Sequence, residues 1–307
     1  MPLREAQGRL SRQPARRRRY GPFTARMQIC ETIEATRAAS RAARKSGKRV
    51  GLVPTMGALH EGHLSLVRIA KQQSGFVIVS IFVNPLQFGA TEDLAKYPRT
   101  FERDSEMLRK EGVDIVFAPS VPEMYPTPNI TYVNVEGLSD RLDGQSRPGH
   151  FRGVATVVSK LFHIAEPDLA VFGQKDAAQL AIIRRMARDQ NFPIEIVAGP
   201  IVREPDGLAM SSRNAYLDSQ QRQQALVLSR ALHCIQETFQ SGERSAARLI
   251  AAGREVLSEE RSVRLDYLAA VDPETLEPVD SITRPTLIAV AAYVGATRLI
   301  DNVVLHP

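Results

Sequence analysis

The 307-residue chain is long enough for one large or two ordinary domains, and 43% hydrophobic with 24% charged residues is typical of a globular protein. The formal net charge of +6 comes from residues 1–26, whose eight Arg and one Glu leave residues 27–307 at −1. No apolar run reaches the roughly 18 residues of a membrane span, and no apolar stretch follows the basic N-terminus as in a signal peptide, so no membrane partner is expected.

The basic segment 1–26 is predicted to be a disordered N-terminal extension, or to lie upstream of a true start at Met27. Its Arg16–Arg19 run also fits a nucleic-acid or membrane-surface arm, but short basic runs are weak motifs. We therefore expect no nucleic-acid partner. Cys30 and Cys234 have no second Cys or His at metal-ligand spacing, which indicates reduced thiols and a cytoplasmic location.

In chain order, the first part of the sequence alternates predicted helices and strands. Apolar residues at helical spacing predict helices over 27–46, 62–71, 101–110, 154–165 and 177–189. Short apolar runs predict strands at 49–53, 76–83, 114–117, 169–172 and 194–197. Pro54 and Gly57 are expected to end the first strand, residues 118–130 to form a loop and residues 131–135 an outlying strand.

The pattern changes near Val202. Two helices are predicted at 218–241 and 244–260, followed by antiparallel strands at 263–267, 287–294 and 299–305 with turns at Asp272-Pro273 and Gly295. The predicted fold class is α/β, with a Rossmann-like parallel-sheet N-terminal domain at 27–203 and a smaller α+β C-terminal domain at 204–307.

The segment Pro54–His63 follows the first of the predicted parallel strands and opens a helix. A helix N-terminus at the carboxyl end of a parallel strand offers free N–H groups to an anion, and Gly57 and Gly62 allow phosphate to approach the backbone. His60 and His63 share one helical face and predict imidazolium donors to one phosphate group. A metal-binding His pair and a solvated helical turn are the alternatives.

Three further segments carry polar residues of the same kind. Met210–Arg213 predicts a hydroxyl and guanidinium clamp for a triphosphate, or ordinary capping of the next helix. Lys175, in the segment 172–176, predicts a cationic phosphate donor, or a simple helix start. Asn84 and Gln87 predict amide contacts to the hydroxyl and carboxylate groups of a small substrate, or a surface turn.

Together these motifs resemble a known enzyme family. The His-x-Gly-His and Met-Ser-Ser-Arg elements are similar to those of the adenylyl-transferring superfamily of nucleotidylyltransferases and class I aminoacyl-tRNA synthetases. Longer strings resemble the pantothenate synthetase (pantoate–β-alanine ligase) family, in order and without large gaps over about residues 27–305. These strings lie at 54–63, 80–88, 97–100, 147–151, 172–176 and 206–214.

The resemblance implies ATP-dependent condensation of pantoate with β-alanine through a pantoyl-adenylate, giving pantothenate, AMP and pyrophosphate. It implies His63 as proton donor, assisted by His60 at the phosphates. The residues implied to stabilise phosphate charge are Lys175, Ser211, Ser212 and Arg213. The implied ATP contacts are Pro54, Thr55, Met56, Gly57, Ala58, Leu59, His60, Glu61, Gly62, His63, Gly173, Gln174, Lys175, Asp176, Val202, Met210, Ser211, Ser212 and Arg213. The implied pantoate and β-alanine contacts are Gln87, Gln179, Asn84 and Tyr97.

The resemblance also implies a homodimer, and the junction at 200–214 would let the smaller domain act as a lid over ATP. Relatives often have Glu where this chain has Asp143, and some have a magnesium-linked acidic cluster where this chain has Glu102-Arg103-Asp104. We therefore expect no metal site built from protein side chains. Mg²⁺ is expected to arrive bound to ATP. The alternative enzyme is a nucleotidylyltransferase that adenylates a phosphate monoester and stops. The alternative class is a nucleic-acid-binding protein, based on the basic extension.

Overall fold

The computed structural model describes residues 27–89, 92 and 94–307, so the basic extension predicted at 1–26 lies outside the described residues. The strands of the first part are β1 Gln28–Cys30, β2 Val50–Thr55, β3 Phe76–Ile81, β4 Ile115–Phe117, β5 Leu169–Gly173 and β6 Glu195–Gly199. The helices are α1 Ile33–Lys45, α2 Glu61–Gln73, α3 Phe101–Lys110, α4 Val121–Met124, α5 Asp143–Ser146, α6 His150–Ala165 and α7 Ala177–Asp189.

These strands form one parallel sheet in the order β1-β4-β3-β2-β5-β6, which confirms the predicted α/β fold. Helix α2 covers one face through Leu66 and Val67, and α6 covers the other through Val154 and Val158. From β2 the chain continues to β3 on one side, whereas β5 lies on the other side. The carboxyl ends of β2 and β5 therefore flank the crevice in which such sheets bind ligands.

The second part contains α8 Ser219–Gln240, α9 Ala246–Ser258, β7 Val263–Val271, β8 Thr286–Val294 and β9 Thr297–Leu305. The strands pair in antiparallel fashion in the order β7-β8-β9, as predicted, and Gly295 turns the β8–β9 hairpin at a φ of 58°. Leu228, Ile235 and Val290 belong to a separate buried core beneath these helices. The boundary between residues 203 and 204 stays a prediction.

The predicted helix at 27–46 is wrong at its start. Residues Gln28–Cys30 form β1 instead, because pairing with β4 outweighs the helical spacing of a few apolar residues. Helix α1 begins only after Thr32, whose side chain accepts a hydrogen bond from the Ala35 amide.

Two further predictions are corrected. Pro54 does not end β2 but lies within it, because β5 pairs only with Gly51 and Leu52 and no ladder bond is expected from Pro54 on that side. The outlying strand predicted at 131–135 is absent from this described segment, because the Val133 and Val135 amides donate to side-chain hydroxyls instead of a neighbouring strand. The loop at 118–130 contains the one-turn helix α4.

Candidate active site

The turn between β2 and α2 is held by a carboxylate from α3. Asp104 is fully buried, and its two oxygens accept hydrogen bonds from the amides of Ala58 (2.8 Å) and Leu59 (3.0 Å). The Thr100 hydroxyl donates to the same carboxylate at 3.0 Å. The turn needs this support because Gly57 and Ala58 have φ values of 84° and 51°. Such positive φ values are energetically unfavourable for any residue other than glycine.

His60 and His63 close the N-terminus of α2 together. His60 is the N-cap residue, and its Nδ1 accepts from the Gly62 amide at 3.2 Å. The Nδ1 of His63 accepts from the His60 amide at 3.3 Å, which completes a capping box. Because both Nδ1 atoms are acceptors, each neutral ring carries its proton on Nε2.

The charge state of this pair differs from the prediction. Burial, and after it the nearby Lys175 ammonium, lowers the pKa of His60 to about 4. Burial, followed by repulsion from His60, lowers the pKa of His63 to about 3. The expected imidazolium donors are therefore wrong, because at neutral pH these lowered pKa values leave both rings uncharged, with Nε2–H groups as their donors.

Lys175 lies in a 3₁₀ turn, Gln174–Asp176, that directly follows β5. Its Nζ is 3.9 Å from Asp176 Oδ1, and its charge acts on both His60 and His63. The ammonium group of Lys175, after β5, therefore lies at the same crevice as the imidazole rings of His60 and His63, after β2.

The connector between β6 and α8, residues 200–218, supplies the third wall of the site. The Met210 amide donates to the Val202 carbonyl at 3.0 Å, so residues 202–210 fold back on themselves and present Ser211. Ser211 caps a 3₁₀ turn by accepting from the Arg213 amide, while Asp218 rather than a serine caps α8. Capping and cavity lining thus coexist at Ser211.

Gln87 is placed by the close approach of its loop to α6. A Cβ atom on Gly153 would lie 2.1 Å from the Leu86 carbonyl oxygen, so only glycine fits where the loop crosses the helix. Asn84 Nδ2 donates to the Gly153 carbonyl (3.1 Å) and to Gln87 Oε1 (3.0 Å). Asn84 therefore lies behind Gln87 and orients its amide, whose Nε2 contacts Met56 Sδ at 3.1 Å.

These walls enclose a cavity of about 210 Å³. Most of the predicted site residues line it: Pro54, Thr55, Met56, His60, Gly62, His63, Gln87, Tyr97, Gly173, Lys175, Asp176, Gln179, Val202, Met210, Ser211, Ser212 and Arg213. A second cavity of about 840 Å³ shares Lys175, Gln179 and Ser211 with the first, so the two are neighbouring parts of one cleft. The second cavity is in the size range of small-molecule sites, whereas the first cavity alone is below it.

The remaining predicted site residues line neither cavity: Gly57, Ala58, Leu59, Glu61, Asn84 and Gln174. Leu59 is a core residue at 1% exposure, and the exposed Glu61 pairs with Arg68. Gly57 and Ala58 form the turn, and their main chain rather than their side chains serves the site. Gln174 points to Asn302.

The sequence-based prediction missed several residues of the site. Ser80 lines the first cavity, and within the described part of the chain its buried hydroxyl has no hydrogen-bond partner. Its position as the only polar residue in the apolar run of β3 was the available signal. Asp104 and His150 were also missed; His150 Nδ1 lies 2.8 Å from the Gln87 carbonyl oxygen and donates to it.

The cleft shows no protein-built metal centre. Across residues 27–89, 92 and 94–307, no three His, Cys, Asp or Glu side chains cluster as metal ligands. Asp104, the acidic residue of the 102–104 stretch that is buried, uses both oxygens on the turn. No helix in the same described residues is long and apolar enough to cross a bilayer.

The fold and the site define a nucleotide-binding α/β protein. A parallel sheet covered by helices has three polar segments around one crevice: a His-x-Gly-His turn, a lysine turn and a Ser-Ser-Arg segment. The model of the pantoate–β-alanine ligase family matches residues 28–304. Pantothenate synthetases from Koribacter versatilis and Acidobacterium capsulatum are 61% and 60% identical to the chain, each over 91% of it and 96% and 97% of their own lengths.

Solved structures agree. Pantothenate synthetase from Thermus thermophilus is 48% identical, with a TM-score of 0.87 over 92% of this chain and 100% of that one. A pantoate–β-alanine ligase from Francisella tularensis, complexed with β,γ ATP and β-alanine, is 33% identical, with a TM-score of 0.75 over 90% of this chain and 97% of that one. The chain belongs to the pantoate–β-alanine ligase family.

Proposed function

We propose that the chain condenses pantoate with β-alanine at the expense of ATP, forming pantothenate, AMP and pyrophosphate. The observation that carries this proposal is the convergence of three elements on one cleft: the His60–His63 helix start, the Lys175 turn and the Ser211–Arg213 segment. Two amides, Gln87 and Gln179, line the same cavity and offer neutral hydrogen-bonding groups to an organic acid. Family membership supports the same activity.

The first half-reaction is adenylation of the acid. A carboxylate oxygen of pantoate attacks the α-phosphorus of ATP, the bond from that phosphorus to the bridging oxygen breaks, and pyrophosphate leaves with the electron pair. Such a step needs alignment and charge neutralisation more than a base. The Nε2–H groups of His60 and His63 and the ammonium of Lys175 donate to the phosphate oxygens on which charge builds up.

Other residues complete the phosphate and acid sites. Ser211, Ser212 and Arg213 bind the departing phosphates from the connector side, as their polar side chains line the cavity there. Gln87 and Gln179 hydrogen-bond the hydroxyl and carboxylate groups of pantoate, with Asn84 orienting Gln87 from behind. Tyr97 borders this site; burial raises the pKa of its phenol, so it acts as a neutral hydrogen-bonding group.

In the second half-reaction, the amine of β-alanine attacks the acyl carbon of pantoyl-adenylate. The carbon–oxygen bond to AMP breaks, AMP leaves, and the nitrogen loses its extra proton to solvent or to released phosphate groups. Because acyl-adenylates hydrolyse readily, the cleft must exclude bulk water during this interval. The buried apolar residues Phe82, Val154 and Phe172 line the cavity and serve that purpose.

The finer parts of the proposal concern cofactor, assembly and location. Mg²⁺ enters on the ATP phosphates, because this ion retains several waters and binds readily through substrate phosphates. The active protein is a cytoplasmic homodimer, with residues 204–307 acting as a lid on residues 27–203. Analytical ultracentrifugation of the purified chain tests the dimer.

A pantoate-dependent exchange of labelled pyrophosphate into ATP, followed by AMP release on addition of β-alanine, tests the activity. A nucleotidylyltransferase that acts on phosphate monoesters would show neither, and turnover with another acid but not with pantoate would overturn the assignment. Nucleic-acid binding that survives deletion of residues 1–26 would support the binding-protein alternative.

Two substitutions at each histidine separate chemistry from capping. Asn can accept hydrogen bonds in place of Nδ1 but has no group at the position of Nε2, whereas Ala supplies neither. We expect His63→Asn and His63→Ala both to abolish pyrophosphate exchange, with only the Ala variant losing about 1 kcal/mol of stability. Normal exchange in His63→Asn would contradict the role of Nε2. The same pair at His60 measures how the work divides between the rings.

A further inference from the structure

The turn that carries Lys175 is held by a residue of the other sheet. Asn302 lies on β9, is 3% exposed, and donates from Nδ2 to the main-chain carbonyls of Gln174 (3.0 Å) and Lys175 (2.9 Å). Its Oδ1 accepts from Gln174 Nε2 at 3.3 Å. One buried amide thus satisfies two successive carbonyls and fixes the direction in which the Lys175 side chain leaves the main chain.

The preceding residue of β9 holds the connector in the same way. Asp301, also 3% exposed, forms a two-point ion pair with Arg203 at 2.6 and 3.0 Å. Arg203 pairs with Ala209 across the fold of residues 202–210, which leads directly into the Ser211–Arg213 segment. Asp301 Oδ1 also accepts from the main-chain N–H of Asn302 at 2.8 Å, so the Asp301 carboxylate is anchored to the main chain that carries Asn302.

Adjacent residues of one strand therefore hold both phosphate-binding walls. Lys175 belongs to the parallel sheet and Ser211–Arg213 to the connector, and nothing in either segment alone sets the distance between them. An error of about 1 Å in such a placement can reduce a rate by about 10²-fold. The hydrogen bonds from Asn302 to these two carbonyls are partly buried, so removing its side-chain amide takes away the partner of two acceptors and allows the turn to relax.

We propose that Asn302 is a positioning residue for adenylation, acting through the Gln174 and Lys175 carbonyls to set the Lys175 ammonium against the Ser211–Arg213 segment. The inference rests on the proposed function, because the step that it serves is the first half-reaction. Asn302 lines neither cavity, so its effect is expected to pass through Lys175.

The kinetic test compares Asn302→Ala with Leu305→Ala. Leu305 lies on the same strand at 3% exposure and belongs to the core of the second part, so its truncation weakens that core without touching the Lys175 turn. We expect Asn302→Ala to reduce the kcat of pantoate-dependent pyrophosphate exchange by about 10²-fold with an unchanged KM for pantoate. Leu305→Ala should leave exchange unchanged at a temperature where it is folded. Equal losses in both variants would overturn the proposal.

A double-mutant cycle with Lys175→Ala separates positioning from general weakening. If Asn302 acts only through Lys175, then Asn302→Ala should cost less than about threefold once Lys175 is already truncated. A full loss in that background would show that Asn302 acts by another route and would sink the inference.

Amide hydrogen exchange tests the structural link without any turnover. Asn302→Ala should accelerate exchange selectively in residues 174–178, and Leu305→Ala should not. Unchanged protection of that segment in Asn302→Ala would refute the inference whatever reaction the protein catalyses. Absence of pantoate-dependent activity in the wild-type protein, together with selective loss of protection in the variant, would instead refute the proposed function alone.

Discussion

Replacing Asp104 by Asn tests how the histidine turn is built, with almost no change in volume. The carboxylate gives one oxygen to the Ala58 amide and the other to the Leu59 amide. An Asn side chain presents an oxygen to one of these amides and an NH₂ group to the other, so one buried amide must face a donor. Losing a hydrogen bond to a charged acceptor and stranding its donor costs about 2–4 kcal/mol.

The loss falls on a turn that is already strained. Ala58 holds a φ of 51°, which costs about 1 kcal/mol and persists only while the surrounding bonds impose it. We therefore expect the Ala58–His60 main chain to relax in Asp104→Asn and pyrophosphate exchange to fall by up to about 10²-fold.

Urea unfolding followed by circular dichroism measures the stability part, and pantoate-dependent exchange measures the rate. The midpoint should shift to lower urea at constant slope. Glu102→Gln, an exposed position on the same helix, is the control and should match the wild type in both assays. If Asp104→Asn unfolded and exchanged like the wild type, the carboxylate would not be what holds the turn.

Three further expectations concern pH, packing and the connector. The pKa of His150 is lowered to about 4 by burial and then by Arg147, so between that value and 6.5 the unfolded chain binds more protons than the folded one. Stability therefore rises with pH in that window, and the wild type should lose free energy of unfolding as the pH falls from 7 to 5. His150→Asn keeps a donor to the Gln87 carbonyl but does not titrate, so urea titrations should show this loss reduced by about 2 kcal/mol. A loss equal to that of the wild type would refute this role of His150. Gly153→Ala should cost about 1–3 kcal/mol and raise the KM for pantoate, because its Cβ meets the Leu86 carbonyl; a wild-type KM would show that the loop moves without disturbing Gln87. Arg203→Lys, which cannot reproduce the two-point pair with Asp301, should raise the KM for ATP more than that for pantoate, and equal effects on both would contradict its role in placing the connector.

Much of this molecule could be predicted from local sequence. Alternation of apolar runs with helical spacing indicated the parallel sheet, and polar turns after β2 and β5 located the crevice, because both signals are short-range. The start of α1 could not be predicted, since β1 exists only by pairing with β4, some 87 residues along the chain from Gln28 to Ile115. The same distance effect hid Asp104, whose role depends on amides 45 and 46 residues earlier.

The charge of the site was also out of reach. Two His three residues apart indicate phosphate chemistry, but only their burial and the capping geometry decide that the rings are neutral and protonated on Nε2. Asn302 carries no motif at all, because its partners are main-chain carbonyls and any sequence supplies those. Ser80, by contrast, interrupts an apolar strand and was visible as an exception.

The width of the crevice is a property of the main chain. Strands β2 and β5 pair only at Gly51 and Leu52 and then part, while β2 stays paired with β3 as far as Thr55. Pro54 lies just past the point of separation and has no amide hydrogen with which to extend the ladder toward β5. To accept a larger acid, the protein would thus need β2 and β5 to separate at a different residue. Replacing the lining side chains by smaller ones would not produce the same change.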